Sequence, residues 1–177
     1  VVYQDVRGRW MSEGIYDNMR AYLPNKKATQ SDEVSDTYDT IDWLIHNIEN
    51  NNGNVGTWGI SYPGHYATDY AIDAHPALKA ASPQAAIGDF FFDEFHHNGA
   101  FLLNYFRAIS LFGTYKDTTT DSAWYSFPKM DSEDQYQLFL DKGPLKNLND
   151  YFQYDKLDVK TAENKDRIDD FFWKEII

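Results

Sequence analysis

Ser61, five histidines and a group of carboxylates are the residues with which this chain could do covalent or metal chemistry. Ser61 stands in "GTWGISYPG", after an apolar run and before a helical pattern. A serine hydroxyl is a poor nucleophile until a base takes its proton and donors hold the oxyanion. A sharp strand-to-helix turn projects the hydroxyl and aims helix N-terminal amides at the reacting carbonyl. Small neighbours relieve the crowding of such a turn. Gly59 provides one two places before Ser61; Pro63, two places after it, does not, and Gly64, one place later, would let the helix approach the strand. On spacing alone, Ser61 is either a nucleophile or a structural turn serine.

The histidines offer no evident base. His46 lies late in a helical pattern, off its apolar stripe. His65 follows Ser61 by one helical turn and points along the helix. His75 precedes Pro76 in a turn, and His96 and His97 open an apolar stretch. Geometry decides a general base before pKa does. Asp89, Asp93 and His97 recur every four residues. On a helix they would share a face, as divalent-metal ligands or as a polar face opposite Phe91, Phe92 and Phe95. The polar face is the reading adopted, since a motif of this kind is common by chance.

The elements that must position Ser61 follow from periodicity. "VVYQDV" reads as a short strand, followed by a long loop that includes "MSEG". From Asp32, Val34, Tyr38, Ile41, Ile45 and Ile48 form one apolar stripe, which predicts a helix capped by Ser31 or Asp32 and stopped by "NNNG" at Gly53. "NVGTWGIS" is a strand leading into Ser61. Pro63 suits the first turn of the next helix, where a missing N–H costs nothing, and that helix runs to the His75-Pro76 break. "LKAASPQAAI" is a third strand. This alternation implies a parallel sheet with crossover helices, an α/β fold. After Gly88 the pattern turns helical: a long apolar stretch interrupted at Asn98-Gly99, then "KDTTTDS" as a turn or loop, then "SEDQYQLFLDKG" and "DRIDDFFWKEII" as amphipathic helices. All 12 Phe follow Gly88, and most of the Gly do not. The expected organisation is therefore 1–88 as part of an α/β core and 89–177 as part of a helical cap.

Composition narrows the partners. A net charge of −12 disfavours nucleic acid and anionic membranes, and no run of about 18 apolar residues is present to span a bilayer. The absence of Cys excludes disulfides and thiolate catalysis. The start at "VVYQDVRG" lacks the features of a signal peptide and reads as the interior of a longer protein. Asp5, Arg7 and Arg9 read as residues bracing the strand end. An exposed sheet edge would favour self-association.

The blocks "QDVRGRWMSEG", "DTIDWLI", "GNVGTWGISYPG", "HPALKAASPQA" and "FHHNGAF" occur in this order in the CocE/NonD hydrolases, which the chain resembles from Tyr3 to about Phe101. That family includes α-amino acid ester hydrolases, glutaryl-7-aminocephalosporanic acid acylase-like enzymes and X-Pro dipeptidyl-peptidases. The resemblance implies a partial α/β-hydrolase core followed by a helical cap, with Ser61 as the nucleophile acylated by an ester or amide substrate. It implies the Tyr62 N–H as one oxyanion donor and no metal or organic cofactor. A second donor, a tyrosine hydroxyl, would precede Val1, and the triad Asp and His would follow Ile177, so the isolated chain is expected to be idle. The resemblance is compatible with export or a periplasmic location without fixing either, and any leader would lie outside this chain. One carboxylate of a cluster that binds the substrate ammonium corresponds to Glu94, with Glu in place of Asp lengthening the arm. Some of Phe90, Phe91 and Phe95 would shape an acyl pocket, and most of the aromatic residues would be core. The branches nearest to "HPALK" and "HNGAF" are the ester hydrolases and acylases. An X-Pro dipeptidyl-peptidase and a catalytically silent interaction module are the alternatives.

Overall fold

Helix α1 (Glu33–Asn47) begins where Asp32 can hold its first amides. Asp32 Oδ1 accepts from the Ser35 N–H at 2.8 Å, and Ser35 Oγ accepts from the Asp32 N–H at 3.0 Å. This reciprocal cap satisfies donors that no helix can satisfy internally. The other carboxylate oxygen accepts from the Leu23 N–H and from Lys26 Nζ, both at 2.9 Å, so one fully buried side chain ties the preceding loop to the helix. Burial opposes ionisation of Asp32, but the amides of Leu23 and Ser35 and the Lys26 ammonium outweigh it and hold the carboxyl below its ordinary value. Along the expected stripe Val34 and Ile41 are buried, while Tyr38 and Ile48 are exposed. At the far end Asn51 Nδ2 donates to the carbonyls of Ile45 and Ile48 at 2.9 and 2.6 Å and closes the helix before Gly53.

The computed structural model describes residues 1–17, 20, 22–89, 92, 94–103, 119, 121 and 131–150. They fall into two compact units, residues 19–89 in one and residues 1–18 with 90–177 in the other. In the first unit β1 (Val55–Ile60) pairs in parallel with β2 (Leu78–Gln84), from Gly56↔Ala80 to Ile60↔Gln84, with a register shift at Val55/Gly56. Between them runs α2 (Tyr62–Asp69). A parallel pair needs such a crossover, so the strand–helix–strand order and the α/β class are as the sequence implied. Helix α2 is shorter than expected. Tight turns close after it, with Ala71 and Ile72 amides donating to Thr68 and Asp69 carbonyls, and Asp73 at φ 47 ends the segment before His75.

The first expected strand is not present: residues 1–6 pair with no strand among the described residues. A strand-like run becomes a strand only where another strand supplies its ladder. The segment is instead held by loop contacts. Ser12 Oγ donates to the Asp5 carbonyl at 2.7 Å, the Met11 N–H donates to the Asp5 carboxylate at 3.3 Å, and Arg9 lies 4.9 Å over the Tyr16 ring.

The second unit corrects a further expectation. His96–His97 (β3) and Ala100–Phe101 (β4) form an antiparallel hairpin, not a helix. Asn98 and Gly99 are its two turn residues, at φ 51 and φ 82, the mirror-image turn that matches strand twist and that Asn-Gly favours. The Leu102 N–H donates to the Phe95 carbonyl at 2.9 Å and extends the pairing, with Phe95 buried and His96 edge-on to Phe101. His97 therefore shares no helical face with Asp89, and neither the polar-face reading adopted for that spacing nor the metal-ligand one holds. Helix α3 (Gln135–Lys142) matches the amphipathic pattern. Asp134 caps it through the Gln137 N–H at 3.0 Å, and Gly143 ends it at φ 74. A short helix, α4 (Leu145–Asp150), follows with Leu148 buried; the sequence reading did not anticipate it. Phe90, Phe91 and Asp93, the stretch 104–118, the loop at 116–122 apart from Thr119 and Asp121, and the helix expected over 166–177 lie outside the described residues.

Candidate active site

One residue, Ser61, separates the last residue of β1 from the first of α2. Its backbone lies at φ 61, ψ −119. An L-residue rarely adopts this conformation, which costs on the order of 1–3 kcal/mol and persists only where the surroundings enforce it. Two hydrogen bonds do so. The Ser61 N–H donates to the Gln84 carbonyl at 2.9 Å, and the Ser61 carbonyl accepts the first helical bond from the His65 N–H at 3.0 Å. A serine before a helix ordinarily spends its hydroxyl on a cap. Ser61 makes no capping hydrogen bond and is exposed. The turn thus carries strain and leaves the hydroxyl available, which a merely structural turn serine would not require.

Both glycines are explained by close approach. A Cβ on Gly59 would stand 2.2 Å from the Pro63 carbonyl oxygen, and one on Gly64 would stand 2.3 Å from the Gln84 carbonyl oxygen. The late glycine therefore lets α2 descend onto the end of β2, while Pro63 begins the helix. Gly64→Ala is expected to force the helix off Gln84 and to lower stability by about 3 kcal/mol, the upper range for overpacking. A shift in the urea midpoint measures this; an unchanged midpoint would show that the turn can relax without cost. The part played by the Gln84 carbonyl had no signature in the sequence.

The Tyr62 N–H belongs to the first turn of α2, where the amides and the helix dipole favour negative charge. Behind it runs an aromatic column. Tyr62 meets Tyr66 edge-on at 5.0 Å, and Tyr66 stacks on Tyr70 at 6.1 Å. Burial pushes the Tyr70 hydroxyl up to about 12; a hydrogen bond with Thr37 opposes this, and Glu33, Asp69 and Asp36 add to it. The folded value lies above that of an unfolded tyrosine, so the neutral form is favoured by folding. Stability is then full below about pH 10 and falls as pH rises toward 12, by roughly 2–3 kcal/mol in the limit. Alkaline unfolding followed with Tyr70→Phe checks this: the variant should lose the slope over that window.

His65 Nε2 lies 3.3 Å from Asp69 Oδ2, one turn further along α2. The Asp69 carboxyl is raised, by burial first and by Asp32, against the opposing pull of His65. His75 is buried; its Nδ1 accepts from the Ala77 N–H at 3.0 Å, and its Nε2 lies 3.4 Å from Asp42 Oδ1. That bond leaves the proton of a neutral His75 on Nε2. His46 Nδ1 sits 2.7 Å from the Asp42 carbonyl oxygen. Each of these imidazoles has a partner on its own or a neighbouring element. Glu94 is half-buried just ahead of β3 and belongs to the other compact unit, as do His96 and His97. Among the described residues, no group of three or more His, Cys, Asp or Glu is arranged to hold a metal ion, and no helix is long and apolar enough to cross a membrane.

A family model described as X-Pro dipeptidyl-peptidase (S15 family) matches residues 1–175. The cocaine esterase of Rhodococcus sp. (strain MB1 Bresler) is 33% identical over 91 residues, which are 51% of this chain and 14% of that protein. Among solved structures, an aminopeptidase from the marine sediment archaeon Thaumarchaeota archaeon is 37% identical with a TM-score of 0.65, over 80% of this chain and 22% of that one. An α-amino acid ester hydrolase is 29% identical with a TM-score of 0.69, over 84% of this chain and 23% of that one. The chain thus spans less than a quarter of the length of each of these relatives.

Proposed function

The chain belongs to the X-Pro dipeptidyl-peptidase (S15) family, and from that premise we propose that the whole protein is a serine hydrolase that cleaves esters or amides through an acyl-enzyme at Ser61. The observation that carries the reading is the Ser61 backbone at φ 61, ψ −119, held between β1 and α2 with its hydroxyl uncommitted to a cap. In this proposal Ser61 Oγ gives its proton to a general base and attacks the substrate carbonyl carbon. The Tyr62 N–H and the α2 N-terminus stabilise the oxyanion as it forms. The tetrahedral adduct collapses, the leaving alcohol or amine departs with a proton, and water hydrolyses the acyl-serine.

The substrate class proposed is an α-amino acyl ester or a β-lactam side-chain acyl group, with Glu94 holding a substrate ammonium. A carboxylate suits such a cation by charge. The alternative, an Xaa-Pro dipeptide amide, is favoured by the family description itself. The α-amino acyl ester and the Xaa-Pro dipeptide both present a cationic amino end. Fluorophosphonate labelling of the whole protein tests the chemistry, and a panel of amino-acid esters against Xaa-Pro anilides tests the class. Folded protein that takes no label would sink the hydrolase reading in favour of a silent interaction module.

A further inference from the structure

The α1–β1 connection contains Asn52-Gly53, and residues 50–54 are all exposed. The structure assigns Asn52 as a site of spontaneous modification, at which the Gly53 amide nitrogen displaces the side-chain amide of Asn52. Asn-Gly is the sequence most open to this cyclisation, because glycine presents no side chain to obstruct attack by its own nitrogen. Here nothing lies within 4 Å of the place where a Gly53 Cβ would be, and Gly53 sits at φ +72.

The turn also places hydrogen bonds on both partners of the reaction. Asn52 Oδ1, which becomes the oxyanion, accepts from the Asn54 N–H at 3.0 Å. The Gly53 N–H donates to Asn51 Oδ1 at 2.8 Å, a bond that this exposed turn must open before the nitrogen can lose its proton to solvent. A donor held at the atom where charge develops lowers the barrier to addition. The step balances without a co-reactant other than water. The Gly53 nitrogen loses its proton to solvent base and bonds to Asn52 Cγ. The carboxamide nitrogen then leaves as ammonia, giving a five-membered succinimide. Water opens either imide carbonyl to yield aspartate or isoaspartate.

Other asparagines are differently placed. The Asn51 carboxamide is engaged at the end of α1 through Ile45 and Ile48. Asn98-Gly99 forms the turn of the β3–β4 hairpin, with both residues at positive φ and the pair His97↔Ala100 beside them, so its ring closure must work against the ladder. The isoaspartate product at position 52 would place an extra methylene in the main chain just ahead of β1 and remove the Oδ1 acceptor from Asn54. It would also set a carboxylate near the negative end of α1.

The test is incubation of the native chain in mildly alkaline buffer, read by charge separation and peptide mass mapping. The expected result is a species one negative charge beyond −12, with the amide-to-acid mass change in the Asn52 peptide. It should accumulate several-fold faster than change in the Asn98 peptide. In denaturant the two Asn-Gly sites should convert at similar rates, and Asn52→Gln should remove the fast acidic species. Equal native rates at the two sites, faster conversion at Asn98, or native protection of Asn52 under conditions that convert it in denaturant would overturn the assignment.

Discussion

Ser61→Ala is expected to abolish covalent labelling of the whole protein by a fluorophosphonate and to cut turnover by about a millionfold, the scale seen when a triad serine is deleted. Stability separates this from damage to the fold. Alanine keeps a Cβ at φ 61 and so keeps the strain, and the denaturant midpoint of Ser61→Ala should stay close to that of the parent. Ser61→Gly should also be inactive, yet more stable. Glycine relieves a backbone cost on the order of 1–3 kcal/mol and gives back roughly 0.5–1 kcal/mol of chain entropy, a net gain of about 1 kcal/mol. A position whose native residue is both strained and less stable than glycine is the pattern expected where function, not folding, selects the side chain. Retained labelling in Ser61→Ala, or a loss of stability in Ser61→Gly, would separate the elbow from the chemistry assigned to it.

The largest effect on stability is expected at Asp32. Its carboxylate is fully buried and accepts from the amides of Ser35 and Leu23 and from Lys26. Asp32→Ala removes the α1 cap, worth about 1 kcal/mol. It also leaves the part-buried Leu23 amide and a partly buried ammonium without the Asp32 carboxylate as acceptor. Breaking such a pair costs about 3–5 kcal/mol when both ions are buried. Lys26 retains some access to water, so the expected total is about 3–4 kcal/mol. Asp32→Asn keeps an oxygen toward Ser35 but turns a donor toward Lys26 and should recover only about 1 kcal/mol, one hydrogen bond's worth. The pH dependence follows the lowered carboxyl. A group depressed by folding stabilises above its unfolded pKa, and that stability is lost as pH falls through the folded value. Acid unfolding of the parent should therefore begin near and below the ordinary 3.8 of an aspartate, and Asp32→Asn should flatten that limb. Equal acid limbs in parent and variant would show that the carboxylate contributes little.

Much of the first unit was legible because its signals are local. A cap at Asp32, an apolar stripe, an apolar run into Ser61 and a proline after it are each decided by a few neighbouring residues. The hairpin at 96–101 carried a local signal too, Asn98-Gly99, but read as a break in a helix it was assigned to the wrong element. Aromatic residues there suit a strand as well as an apolar helix, and the turn conformation at Asn98 and Gly99 decided between them. The run "VVYQDV" failed for the opposite reason. Its residues suit a strand, but strand formation is a relation between two segments, and the described residues provide no partner.

From sequence alone came the α/β class of the first unit, the position of Ser61 between a strand and a helix, and the two glycines that flank it. These depend on residue type and spacing, which the chain carries wherever it goes. That the late glycine lets the helix approach a strand was also legible; only the tertiary structure decided which atom it makes room for. Gly64 is needed because the Gln84 carbonyl, 20 residues further along, lies where its Cβ would be. The same carbonyl holds the Ser61 amide and so enforces a backbone conformation the serine would not adopt alone. Strain at one residue is maintained by contacts distant in sequence, and spacing along a chain does not encode distances across it.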